Sequence, residues 1–197
     1  MADKSTRDHL IDVGVKLMHE HGYTATGLTE ILESAGVPKG SFYHHFGSKE
    51  EFAVVALERY VAREAEHCEA VLNDPKVAPL KRLKRYFVDL IKFYGQKGPI
   101  AGCMMGRFSL DVAGQSSTLR KHLSSSFGHW QHAIASVIRL AVDQLDLPAS
   151  TDSESLAGFL LNSWQGALVR SQADKSDEPL HGFMHYAFEV LLKDASH

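Results

Sequence analysis

Apolar residues recur at three- and four-residue spacing in almost every stretch between turn signals of this chain, and nowhere do short alternating runs follow one another as a sheet requires. The pattern predicts an all-α fold. With 197 residues, 44% of them hydrophobic, the chain can bury a real core, as one continuous domain or as a small module fused to a larger one. No apolar run approaches the twenty or so residues that cross a bilayer, and the opening MADKSTRDHL has no apolar stretch behind a basic flank, so a cytoplasmic protein is expected. Cys68 and Cys103 are too few and too far apart for a disulfide framework or a Cys-rich zinc site, which fits a reducing compartment. The formal charge of -3 argues against a protein that coats nucleic acid nonspecifically. Any DNA contact must come from a local arrangement of donors.

The turn signals divide the chain. Ser5 or Thr6 is placed to cap a first helix that buries Leu10, Val13, Leu17 and Met18 and stops at His21-Gly22. A short helix from Leu28 to Ala35 is stopped by Gly36, and a third, Pro38 to His45, starts on proline. Short helix, glycine turn, short helix is a helix-turn-helix pattern. Ser48 and Glu51 match a capping box at the start of a long helix reaching about Leu72. Beyond Asn73-Asp74-Pro75 and Pro79, an amphipathic helix carries Leu80, Leu83, Phe87, Leu90, Ile91 and Tyr94 and closes at Gly95 to Pro99. Helices over about Gly102 to Val112 and Thr118 to Leu145 follow. The last pair, Asp152 to Ala173 and Glu178 to Asp194, is apolar over more than one face, as expected where a partner chain packs. The expected organisation is a helix-turn-helix DNA-binding domain over 1–50 and a helical effector-binding and dimerisation domain over 51–197.

From Gly36 to Lys49 stand two lysines, two histidines, two serines, a tyrosine and no acidic residue, a composition suited to approaching phosphates. Gly40 admits close backbone approach, Lys39, Ser41 and His44 would face base edges and phosphates, and Tyr43 can reach a phosphate with its hydroxyl. Lys49 sits at a helix N-terminus that already favours anions. Thr26 is placed to cap the second helix and touch the DNA backbone, while Phe42 and Phe46 would pack inward. Asp3, Asp8, Asp12, Glu20, Glu30 and Glu33 in the first fifty residues keep nonspecific affinity modest. The run Gly36-Val37-Pro38-Lys39-Gly40-Ser41-Phe42-Tyr43-His44-His45-Phe46 with Ser48-Lys49-Glu50, together with Gly22-Tyr23, Thr26 and Glu30-Ile31, resembles the TetR-family signature over the first fifty residues. That resemblance implies a homodimeric transcriptional repressor on a palindromic operator, released by a small-molecule or electrophile effector. A single short helix reads only a few base pairs, so two copies about 34 Å apart are needed. The resemblance further implies that the final two helices pair with their symmetry mates, through Leu156, Phe159, Leu160, Leu180, Phe183, Met184, Ala187 and Leu191.

For the sensor, several features converge on Cys103. It follows Gly102 at a helix start, and Arg107 lies one turn later; both would favour a thiolate. Gly102-Cys103, Phe108-Ser109-Leu110-Asp111-Val112 and Trp164-Gln165-Gly166-Ala167 resemble the branch of the family represented by the N-ethylmaleimide reductase repressor NemR, which senses electrophiles; a related branch answers to small unsaturated acids such as acrylate, for which Arg107 would suit the carboxylate. Three roles stay open for Cys103: packing, pocket contact or covalent sensor. Cys103, Met104, Arg107, Phe108, Trp130 and Trp164 are the candidate effector-binding residues. His181, His185 and Glu189 share a helix face at metal-binding spacing, but no Cys-x-x-Cys or His-Glu-x-x-His accompanies them, and neither metal nor cofactor is expected. No Gly-x-Ser-x-Gly, phosphate-binding glycine loop or ordered triad points to an enzyme.

Overall fold

The computed structural model describes residues 5–95, 102–112 and 114–193, and among them there are nine α-helices and no strand. They are α1 (Thr6–His21), α2 (Leu28–Ala35), α3 (Lys39–His45), α4 (Lys49–Leu72), α5 (Pro79–Gly95), α6 (Met104–Val112), α7 (Ser117–Asp143), α8 (Ser153–Asp174) and α9 (Glu178–His185), the last continued by a π-helical turn, Tyr186–Leu191. The all-α expectation holds. The expected helix closure across 96–99, the acidic Asp3 and the helix end at Asp194 lie outside the described residues. The chain forms two compact units, Met1–Glu64 with Cys103–Ser126, and Ala65–Gly102 with Phe127–His197.

In the first unit, α1 begins where the Ser5 hydroxyl accepts the Asp8 amide at 3.1 Å and ends at Gly22, whose amide reaches Met18 O. Its buried stripe is Leu10, Ile11, Gly14, Val15 and Met18, rotated from the expected one, with Val13 and Leu17 half-buried. Gly14 faces the Phe52 ring of α4: a Cβ there would stand 2.3 Å from the ring edge, so only glycine permits this approach. Gly36 closes α2, and the Val37 amide reaches back to Leu32 O, so the chain turns within two residues into α3. α3 is pinned by Phe42 and Phe46, whose rings lie 5.3 and 4.9 Å from that of Phe52. All three rings are buried, each contributing about 2 kcal/mol of hydrophobic stabilisation. At the head of α4 the Ser48 hydroxyl accepts the Glu51 amide at 3.0 Å, while the Glu51 carboxylate takes the Gly47 amide at 2.9 Å.

The second unit is built round an aromatic cluster. Trp164 of α8 meets Phe87 and Tyr94 of α5 and Phe183 of α9, and Phe87 also meets Phe188 in the π turn. Arg82 is buried near the start of α5, its Nε donating to Val77 O and its Nη1 to Leu72 O at 3.3 Å. Asp152 caps α8 by accepting the Glu154 and Ser155 amides, each at 3.1 Å. The turn after α8 passes through Lys175 in the left-handed region at φ 50°.

Candidate DNA interface and effector residues

The outer side of α3 is open. Lys39, Gly40, Tyr43 and His44 are exposed and Ser41 is half-buried. The Lys39 ammonium lies 5.9 Å from the centroid of the Tyr43 ring, close enough for both to address one phosphate. Pro38 caps this helix and Lys39 opens it, one residue later than expected.

One expected DNA contact, Thr26, is corrected, and a second, Lys49, has a partner within the protein. Thr26 is fully buried, its hydroxyl donating to Gly22 O at 2.7 Å, and Gly27 rather than Thr26 stands at the N-cap of α2. Thr26 therefore fastens the α1–α2 turn and cannot touch DNA with its side chain. The Lys49 ammonium donates to Tyr23 O at 2.7 Å and lies 4.5 Å from the Tyr23 ring centroid, while burial lowers its pKa. With one of its three ammonium N–H groups it stitches α4 to the α1–α2 turn.

α6 binds that same turn. The Thr24 amide donates to the Asp111 carboxylate at 3.3 Å, Phe108 meets the Tyr23 ring edge-on at 5.9 Å, and the Arg107 guanidinium donates to Glu20 O. Gly22, at φ 86°, lies so close that a Cβ would stand 2.5 Å from the Asp111 carboxylate. Arg107 thus has one of its five donors on α1. Cys103 is buried immediately before α6, with its sulfur 4.0 Å from the Tyr60 hydroxyl of α4. Met104 and Phe108 are buried beside it in sequence, all in the first unit, whereas Trp130, half-buried, and Trp164, fully buried, belong to the second. The six effector candidates are therefore divided between the two units.

Of the residues expected at a dimer interface, Leu160, Leu180, Phe183 and Ala187 are buried within the chain; Leu156 and Met184 are half-buried, and Phe159 and Leu191 are exposed. Val169 on α8, with Tyr186 and Val190 in the π turn, stood outside that expectation and are 55%, 65% and 56% exposed. Between α8 and α9 runs an apolar groove of about 230 Å³, bordered by Phe159, Ser163, Ala167, Tyr186 and Leu191. The side chains of His181, His185 and Glu189 have other surroundings: Glu189 pairs with Lys84 at 2.7 Å, His181 with Asp177 at 3.3 Å, and the π turn breaks the helical register between His185 and Glu189.

Residues 10–55 match the family of bacterial regulatory proteins called tetR, and residues 79–187 match the tetracyclin repressor-like C-terminal domain. The chain belongs to the TetR family. It is 33% identical to the HTH-type transcriptional repressor DhaR of Mycobacterium sp. (strain GP1), over 98% of this chain and 95% of that protein. It is 32% identical to the transcriptional regulator AcuR of Cereibacter sphaeroides, over 88% of this chain and 80% of that one. The crystal structure of reduced Escherichia coli NemR superposes with a TM-score of 0.88 at 29% identity, covering 94% of this chain and 96% of that one. As a TetR-family member the chain is a helix-turn-helix, DNA-binding transcriptional regulator of a family whose members dimerise and answer to effectors. α2 and α3 are then its reading pair, and Gly36 is the turn between them. No helix among the described residues is long and apolar enough to cross a membrane.

Proposed function

We propose that this TetR-family regulator is a cytoplasmic, homodimeric repressor, with no enzymatic activity, that holds a palindromic operator and leaves it when an effector binds. The exposed face of α3 supports this reading: Lys39, Gly40, Tyr43 and His44 stand out from a helix fixed from behind by Phe42, Phe46 and Phe52. Lys39, Tyr43 and His44 supply donors to phosphates and base edges, Ser41 adds one at the rim, and Gly40 lets the backbone approach. In the dimer, the apolar surface of Phe159, Val169, Tyr186, Val190 and Leu191, with Leu156 and Met184 at its margin, packs on its symmetry mate.

Two effector routes fit the division of residues. In one, a noncovalent ligand enters the second unit near Trp130 or Trp164. In the other, an electrophile modifies Cys103, whose unit also contains the reading helices; an adduct on a thiol packed against Tyr60 would disturb α6 and, through Asp111 and Arg107, the α1–α2 turn. Either signal must favour the DNA-incompetent state by several kcal/mol to empty the operator.

A gel shift with DNA from upstream of its own coding region tests the proposal. Specific binding is expected, lost in Lys39→Ala or Tyr43→Ala; equal binding by those variants would overturn it. Cys103→Ser separates the routes, since operator release by N-ethylmaleimide disappears only if the thiol is the sensor.

A further inference from the structure

The inner face of α8 carries hydrogen-bonding atoms that the protein leaves unsatisfied. Trp164 is fully buried, and its Nε1 has no acceptor among the described residues; Ser171, equally buried, has an unpartnered hydroxyl. Seven residues are nearly two full turns, so both project from one stripe, about 10 Å apart along the axis. Folded cores rarely leave such groups dry, and where they do a functional reason is worth seeking.

The surroundings narrow the chemistry. The indole is ringed by Phe87 at 5.3 Å, Phe183 at 5.4 Å and Tyr94 at 6.4 Å, measured between ring centroids. Arg82 is the only buried cationic side chain among the described residues, and its Nε and Nη1 are directed to the Val77 and Leu72 carbonyls. An anion placed in this cluster would lose its hydration with no counter-charge to replace it. A neutral carbonyl loses far less and gains the indole N–H.

We propose that the effector read by this unit is a neutral, flat, apolar molecule with a carbonyl oxygen, the oxygen accepting from Trp164 Nε1, the body lying among the aromatic rings, and Ser171 serving as the second polar contact. This rests on the reading of the chain as an effector-controlled regulator and names the chemical class of its ligand. The cluster brings together rings from α5, α8 and α9, so a ligand that takes the place of one ring shifts all three helices. That gives the ligand-bound and ligand-free states different packing, which is the differential affinity a switch needs.

The test is calorimetric titration of the full-length protein with three probes of similar size: acetophenone, benzoate and ethylbenzene. Acetophenone should bind at least about tenfold more tightly than either other probe, the factor expected for one buried hydrogen bond. Trp164→Phe, which keeps a ring but removes the N–H, should bring acetophenone down to the level of ethylbenzene. Ser171→Ala, which leaves every ring in place, should leave both acetophenone and ethylbenzene unchanged, because the single oxygen of acetophenone is held at the indole, about 10 Å along the helix from Ser171. Benzoate binding as well as acetophenone, no acetophenone binding at millimolar concentration, or undiminished acetophenone binding by Trp164→Phe would each overturn the proposal. A gel shift on the same preparations keeps the two readings apart: operator binding without carbonyl preference sinks the ligand class alone, and carbonyl preference without operator binding sinks the repressor reading alone.

Discussion

The Arg107 guanidinium donates to the Glu20 backbone carbonyl at 2.7 Å, tying α6 to the last turn of α1. That carbonyl is one of those a helix end leaves without an intrahelical partner. A cation there both satisfies it and complements the helix dipole. Replacing Arg107 with Ala should lower stability by about 1 kcal/mol, measured by urea unfolding. It should also shift the effector concentration needed for half-release of the operator, because the contact belongs to the unit that reads DNA.

Lys39 and Lys49 are ten residues apart and should behave differently. Lys39→Ala removes a phosphate contact, so operator affinity should fall and the slope of log affinity against log salt should flatten by about one. Lys49→Met removes the bond to Tyr23 O but keeps the aliphatic stem. It should cost about 1 kcal/mol in thermal or urea unfolding and leave the salt slope unchanged.

Gly14→Ala drives a methyl group into the Phe52 ring. The ring must move, and it also supports Phe42 and Phe46. Overpacking of this kind costs about 1–3 kcal/mol. A lowered Tm, with weaker operator binding at temperatures where the parent still binds, is the expected result.

Glu64 gives the protein a pH dependence. Burial raises its pKa from 4.5 to about 7. The unfolded chain loses this proton near pH 4.5 whereas the folded chain keeps it to about 7, so the folded state binds more protons between those values. Stability therefore falls as pH rises across that window and levels off above it. Glu64→Gln should flatten this dependence: the variant and parent should agree near pH 4, and the variant should be more stable at pH 8 by about 1–3 kcal/mol. Denaturation midpoints at the two pH values check it.

The exposed apolar residues of α8 and the π turn should hold the dimer. Tyr186→Glu or Phe159→Arg places a charge on that face, with little packing lost inside the chain because both side chains are more than half exposed. Sedimentation should show a shift toward monomer, and operator affinity should fall with it. A dimer of parental stability would move the interface elsewhere.

Much of the first unit was legible because its signals are local. Gly36 stops a helix by its own backbone geometry, Ser48 and Glu51 cap the next one, and Phe42 and Phe46 alternate with polar residues so that only one side can turn inward. What stayed hidden was the use of backbone carbonyls by long side chains. Lys49 reads as a surface cation until Tyr23 O is seen beside it, and Arg107 until Glu20 O is. The inward role of Leu160, Leu180 and Phe183 was hidden for another reason. α8 and α9 are apolar around much of their circumference, so periodicity does not choose which stripe faces the core. The π turn then changes the register past His185, and Tyr186 and Val190 emerge where an unbroken helix would have placed other residues.

The Ser116 hydroxyl caps α7 by accepting the Leu119 amide and donates to the Glu50 carboxylate, so a stretch beginning after residue 102 is bonded directly to the base of the reading head. Anyone building a chimera with a new operator preference must graft two separate stretches of polypeptide. A donor segment cut cleanly after the third helix would arrive with its supporting buttress left behind in the parent.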